Sequence, residues 1–223
     1  MPPHIGCQCS IYFIILLNYF TKFLMNTKPA LIIFIRHPEL GKVKTRIAES
    51  VGDQKAYQVY LALLEHIRTI TQKVEGVERY LFYSHFIDTE DQWDERYFHK
   101  RIQCSGDIGD KMNDAFNQVL RKHSAAIIVG SDIASLRSNI IENAVVILHE
   151  KDYVLGPALD GGYYLLGMKK PSPFLFEQMI WSTDHVFEET TDRINKAAGS
   201  LGLVDTLSDI DHWEDWQKYG WEL

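Results

Sequence analysis

The chain alternates short apolar runs with longer segments in which apolar residues recur every three or four positions. The first run, Leu31 to Ile35 (LIIFI), is five apolar, mostly branched residues, the composition of a strand buried on both faces of a parallel sheet. It ends in a loop punctuated by Pro38 and Gly41. From Asp53, a suitable helix cap, to about Val74, the residues Tyr57, Tyr60, Leu61, Leu64, Ile67 and Ile70 fall mostly at helical steps and predict a core-facing stripe. Val77 to Ser84 reads as a second strand, His85 to Arg96 as a loop with a short helix around Gln92, and His99 to Cys104 as a weak third strand. A helix follows SGDIGDKM through about Lys122, then a short buried strand over Ala125 to Val129 and a helix from about Ser138 to Glu150. Tyr153 to Met168 breaks the alternation, reading as two extended runs around Asp160-Gly161-Gly162. A helix from Asp184 to about Ala198, capped by Thr183 or Ser182, a strand near Leu203 to Leu207 and a terminal amphipathic helix carrying Trp213 and Trp216 complete the pattern. Strands alternating with helices, without internal repeat or low-complexity linker, predict one α/β domain over residues 25–223, with helices on both faces of a mostly parallel sheet.

Composition narrows the partners. A hydrophobic content of 46% in 223 residues is ample for a core. A net charge of −7 argues against a general nucleic-acid binder but not against a nucleotide, because a divalent cation can bridge carboxylates to phosphates. Of three cysteines, Cys7 and Cys9 lie near the N-terminus and Cys104 stands alone in the body. That pattern offers no disulfide framework or cysteine zinc site, and a reducing, cytoplasmic setting fits it. The run Ile11 to Leu17 is interrupted at Asn18 and Lys22, too short for a membrane span of about 20 residues and without a clear cleavage site. Residues 1–24 read as an extension, with translation starting at Met25.

The local charge is less even. Arg36, Lys42, Lys44 and Arg46 fall within eleven residues, where an even spread of 23 Lys and Arg over 223 positions would place about one. A basic, glycine-bearing loop past the carboxyl end of a buried strand is where open α/β sheets bind phosphates, although a solvated charged loop would look the same. Asp132, in Gly130-Ser131-Asp132, ends another buried strand and could hold Mg²⁺ or Mn²⁺, or could cap the next helix. The turn Asp160-Gly161-Gly162-Tyr163-Tyr164 offers a carboxylate, phenols and a backbone that can pass close to a substrate. Asp107 and Asp110 form a third acidic loop that is also an ordinary helix start, and Trp181-Ser182-Thr183-Asp184 reads as a helix N-terminus. Leu40 to Thr45 comes near a P-loop, but GxxxxGK[ST] would need glycine at position 36 and Ser or Thr at 43, where Arg36 and Val43 stand. No GxGxxG or GxSxG is present.

Taken in order, FIRHPELGKVKTRIAESVG, SGDIGDKMNDAF, IIVGSDIASL, VLGPALDGGYYLLG and WSTDHVFEET resemble one family. It is the GT-A-like bacterial glycosyltransferases of the selenodomain-associated transferase type, related in fold to nucleotide-diphospho-sugar transferases and to guanylyltransferases of the molybdenum-cofactor and phospholactate pathways. The likeness covers roughly Ala30 to Trp216. It implies a three-layer α/β/α fold. It also implies a nucleotide site at Arg36, Lys42, Lys44, Thr45, Arg46 and Asp107, with Asp132 as ligand for Mg²⁺ or Mn²⁺. Gly161, Gly162 and Tyr163 would face the donor sugar or acceptor, with Asp160 and Asp184 as candidate catalytic carboxylates. The implied activity is glycosyl transfer from a nucleotide sugar to a small-molecule or glycan acceptor, with nucleotidyl transfer or a non-catalytic nucleotide-binding module as alternatives. The chain departs from the family at Asp132-Ile133-Ala134, where Asp-Cys-Pro is usual, and at Arg137, where a threonine cap is usual and Ser138 is expected to take over. At this corner only Asp132 stands, in Ser131-Asp132-Ile133, where GT-A transferases usually carry Asp-x-Asp.

Overall fold

The structure, a computed structural model, describes residues 28–223. The proposed extension 1–24, with Cys7, Cys9 and the start at Met25, lies outside the described residues. The strands are β1 (Ala30–Ile35), β2 (Glu78–Tyr83), β3 (Phe98–Ile102), β4 (Ala126–Val129), β5 (Tyr153–Pro157), β6 (Tyr163–Met168) and β7 (Leu201–Leu203). The helices are α1 (Thr45–Val51), α2 (Asp53–Lys73), α3 (Ile108–Val119), α4 (Ser138–Glu150), α5 (Val186–Lys196) and α6 (Trp213–Tyr219).

One sheet of seven strands runs in the order β3-β2-β1-β4-β6-β5-β7. β3, β2, β1 and β4 are parallel, β6 is antiparallel to both β4 and β5, and β7 rejoins β5 in parallel. The pleat sorts β1 between two cores. Leu31, Ile33 and Ile35 pack with Tyr60, Leu64 and Ile67 of α2 and Ile141, Ala144 and Leu148 of α4. Ala30 and Ile32 pack with Met112, Ala115 and Phe116 of α3 and Ile194 of α5. That arrangement is the expected three-layer α/β/α sandwich, and it explains why LIIFI is apolar without alternation. A third cluster joins Ile47 of α1 and Val59 and Leu63 of α2 to Ile210 and Trp216, so the terminal helix packs over the start of the chain's helical layer.

Several local expectations are corrected. No helix forms near Gln92. Asp91 Oδ1 instead accepts the Trp93 N–H at 2.9 Å and the Lys100 ammonium at 2.7 Å, and Asp94 Oδ1 accepts the Arg96 N–H at 2.8 Å. Such side-chain turns satisfy backbone donors without a helix. Gly52, not Asp53, is the N-cap of α2, because it holds φ at +83° between α1 and α2. Arg137 occupies the N-cap of α4 without a side-chain bond, and Ser138 is the first helical residue. Helix α5 begins at Val186 with no cap from Thr183 or Ser182; the Phe187 N–H donates to the Gly161 carbonyl at 2.9 Å instead. The last strand ends at Leu203, and Leu207 makes only an isolated bridge to Ala158.

Candidate functional site

Parallel strands β3, β2, β1 and β4 end on the same edge of the sheet, and the segments leaving them enclose a cavity of about 570 Å³. That volume lies within the range of small-ligand sites. Arg36 follows β1, Ser84 follows β2, Gln103 follows β3, and Gly130, Ser131 and Asp132 follow β4; all line the cavity.

The basic loop is pinned at two points. Tyr60, from the buried face of α2, accepts the Arg36 N–H at 2.9 Å and donates to the Arg36 carbonyl at 2.7 Å. Burial pushes the Tyr60 phenol's pKa up, and the charge of Asp132 adds to that. The second point is Lys44, held in the left-handed region at φ +50° just before α1. Its side chain is only 7% exposed. The ammonium donates to the Ile210 carbonyl at 2.7 Å and lies 3.0 Å from Asp132 Oδ2 and 3.8 Å from Asp211 Oδ1. Arg46 meets Asp211 at 2.7 Å. A buried ammonium needs such partners, so Lys44 ties together the loops after β1 and β4 and the segment before α6.

Of the residues singled out in the sequence, Arg36, Lys44, Thr45, Arg46 and Asp132 therefore line one cavity. Lys42 does not; it is exposed and paired with Glu39 at 2.6 Å. Asp107 caps α3, accepting the Asp110 N–H at 2.9 Å, while Asp110 accepts the Asp107 N–H at 3.2 Å; its neighbour Ile108 reaches the cavity. Asp160 Oδ1 closes the glycine turn on the Gly162 N–H at 2.8 Å. Gly161 lies at φ +89°, and a Cβ there would overlap the Asp184 carbonyl, so the turn and the segment before α5 meet backbone to backbone. Asp184 is 76% exposed beside His185. Tyr163 buries its phenol oxygen, and burial pushes that pKa up.

Sequence reasoning missed five contributors. Tyr60 reads from the sequence as packing alone, yet its hydroxyl holds Arg36. Lys111 of α3 lines the cavity and forms no ion pair among the described residues. Gln103 reads as the end of a strand, and Asp209 and Asp211 read as part of the terminal helical segment. Asp209 is the most perturbed carboxyl: burial first, then the charges of Asp160 and Asp211, push its pKa up to about 6, against the pull of Lys44. Asp132 and Asp211 thus flank one buried ammonium, and Asp209 lies near enough to feel its charge. The signal that could have found Asp209 and Asp211 was the repeated aspartate in Asp209-Ile210-Asp211, straight after a strand region.

A cation fits this charge balance. Asp132 and Asp211 both line the cavity and leave their side chains 44% and 37% exposed, so two carboxylates are within reach of an incoming ion. Among the described residues no group of three His, Cys, Asp or Glu is spaced to hold a metal by itself. Mg²⁺ in particular is typically bound through one or two carboxylates, with phosphate and water completing its shell.

A family model described as "Uncharacterized protein conserved in bacteria (DUF2064)" matches residues 67–183. No curated protein matches the chain. Among solved structures, the chain resembles a Desulfovibrio desulfuricans G20 protein described as a nucleotide-diphospho-sugar transferase, with 24% identity, TM-score 0.77 and 84% of each chain covered. It also resembles 4-diphosphocytidyl-2C-methyl-D-erythritol synthase of Anaerococcus prevotii DSM 20548, at 12% identity and TM-score 0.56, covering 87% of this chain and 97% of that one. A third likeness is to Rv0371C of Mycobacterium tuberculosis in complex with manganese, at 11% identity and TM-score 0.51, covering 87% and 98%. These likenesses establish the fold.

Proposed function

The chain belongs to the DUF2064 family of uncharacterized bacterial proteins and has the fold of nucleotide-diphospho-sugar transferases, and from that premise we propose that it is a metal-dependent transferase acting on a nucleotide or nucleotide sugar. The observation that carries this reading is the 3.0 Å contact between Lys44 and Asp132, which joins the basic loop and the acidic corner inside one cavity. Arg36, Lys44, Thr45, Arg46 and Lys111 would take the phosphates, the arginines adding two-pronged contacts that lysine lacks. Asp132, with Asp211 beside it, would hold Mg²⁺ or Mn²⁺, and the ion would neutralise charge developing on the leaving phosphate. A triphosphate alone would be repelled by Asp132 and Asp211, which line the cavity, so nucleotide and cation should bind together more tightly than either does alone.

Glycosyl transfer is the leading reaction. Asp160 and Asp184 would be the carboxylates on the acceptor side, with Gly161, Gly162 and Tyr163 shaping the sugar subsite. Nucleotidyl transfer is the second reading, favoured by the likeness to 4-diphosphocytidyl-2C-methyl-D-erythritol synthase over 97% of its length. Pyrophosphate release from a nucleoside triphosphate would select it. The reading places a single domain over residues 25–223 in the cytoplasm; among the described residues no helix is long and apolar enough to cross a membrane.

Thermal shift with GTP, CTP, UTP, ATP, UDP-glucose and GDP-mannose, with and without Mn²⁺, tests the proposal. Ligand at about 100 times its Kd stabilises by roughly 2.7 kcal/mol, or about 5–11 °C at this size. The expected result is a shift with one nucleotide family that requires Mn²⁺ and is lost in Asp132→Asn. Equal shifts in Asp132→Asn and the parent would refute the ligand role, and no shift at all would refute the site.

A further inference from the structure

Gln103 has a hydrogen-bonding inventory that its structural role does not exhaust. It stands immediately past β3, and its backbone N–H donates to the Tyr83 carbonyl at 2.9 Å. Its side-chain Nε2 donates twice, to the Ile35 carbonyl at 3.2 Å and the Phe82 carbonyl at 3.0 Å, stitching together the ends of β1, β2 and β3. Both partners are carbonyls, so the amide can sit only one way round, and both of its hydrogens are spent. What remains is Oε1, a pure acceptor that no described residue uses, on a side chain that lines the cavity.

Its place in the cavity says what could use it. Three strand spacings, roughly 14 Å, separate the end of β3 from that of β4. A ligand held at the β4 end by phosphates on Lys44 and a cation on Asp132 must reach across that distance to fill the cavity. The lining also includes Ile108, which opens α3 a few residues past Gln103, and Phe34, the residue before the Ile35 whose carbonyl Gln103 holds; both are apolar surfaces suited to the faces of an aromatic ring. We propose that Gln103 Oε1 reads the base of the nucleotide, selecting bases with an exocyclic amino group over uracil. Uracil's N3–H is flanked by two carbonyl oxygens that an incoming acceptor would oppose, whereas an exocyclic amino group turns a hydrogen outward. This inference rests on the nucleotide reading of the cavity.

The test is titration calorimetry in Mn²⁺ with matched pairs: CTP against UTP, GTP against ITP, and ATP against purine riboside triphosphate. The protein should bind the amino-bearing member at least tenfold more tightly in one pair or more. Gln103→Lys keeps donors for the Ile35 and Phe82 carbonyls but offers no acceptor, so its preference should fall to within twofold while nucleotides still bind. Equal affinities in every pair, or an undiminished preference in Gln103→Lys, would overturn the assignment and leave the nucleotide site standing. The comparison within the parent protein decides the matter even if the variant does not fold. If the parent binds no member of any pair, the nucleotide reading fails and this inference falls with it.

Discussion

Removing the buried ammonium at position 44 is the sharpest test of how the cavity is held together. Lys44→Met keeps the length and packing of the side chain and deletes its charge and donors. At 3.0 Å, the attraction to Asp132 is about 5–6 kcal/mol in gross terms at an effective dielectric of 20. Most of that is returned as desolvation of the lysine, and Asp132 is 44% exposed, so water screens it once the partner has gone. What remains is the lost bond to the Ile210 carbonyl and a net ion-pair contribution, together about 2–3 kcal/mol, or a Tm lower by about 4–12 °C. Asp132→Asn leaves Lys44 with Asp211 only at 3.8 Å and should cost about 1–2 kcal/mol. Because the two groups share one contact, Lys44→Met/Asp132→Asn should lose about 1–2 kcal/mol less than the sum of the single changes. Urea unfolding of all four proteins at pH 7.5 without metal gives the cycle. Additivity within about 0.5 kcal/mol would mean that the pair is not coupled in solution, and the account of the cavity as built around Lys44 would fail.

The glycine turn gives a second prediction. Gly161→Ala must place a Cβ against the Asp184 carbonyl at φ +89°, and should cost about 2–4 kcal/mol by urea unfolding; a loss under about 0.5 kcal/mol would show that turn and helix are not packed as described. The pH profile gives a third. Asp209 is raised from 3.8 to about 6 by burial and by its acidic neighbours. Between those values the unfolded chain has released a proton that the folded chain keeps, so stability falls as pH rises through the window and levels off above it. The shift sets a ceiling of about 3 kcal/mol, which solvent screening reduces to about 1–1.5 kcal/mol. Asp209→Asn should flatten that slope and raise stability near neutral pH in metal-free buffer; an unchanged profile would exclude Asp209 as its source.

The layers of the fold were legible because both periodicities were clean. LIIFI and AAIIV are apolar without alternation because both sheet faces are covered, and Tyr60, Leu64 and Ile67 recur at helical steps because one face of α2 meets the sheet. Capping residues were less telling, because the packing of distant segments decides where a helix starts. The Gly161 carbonyl engages the first turn of α5, work that Thr183 or Ser182 had seemed suited to do. The candidate site divides the same way. Its basic half is one continuous loop, so a count of charges finds it. Its acidic half comes from Asp132 and Asp211, 79 positions apart, which Lys44 brings together. A charge count sees density along the chain, whereas a binding site is density in space. Tyr60 makes the point within a single residue: its ring belongs to the core stripe that the periodicity detects, while its hydroxyl, which grips Arg36, follows no period at all.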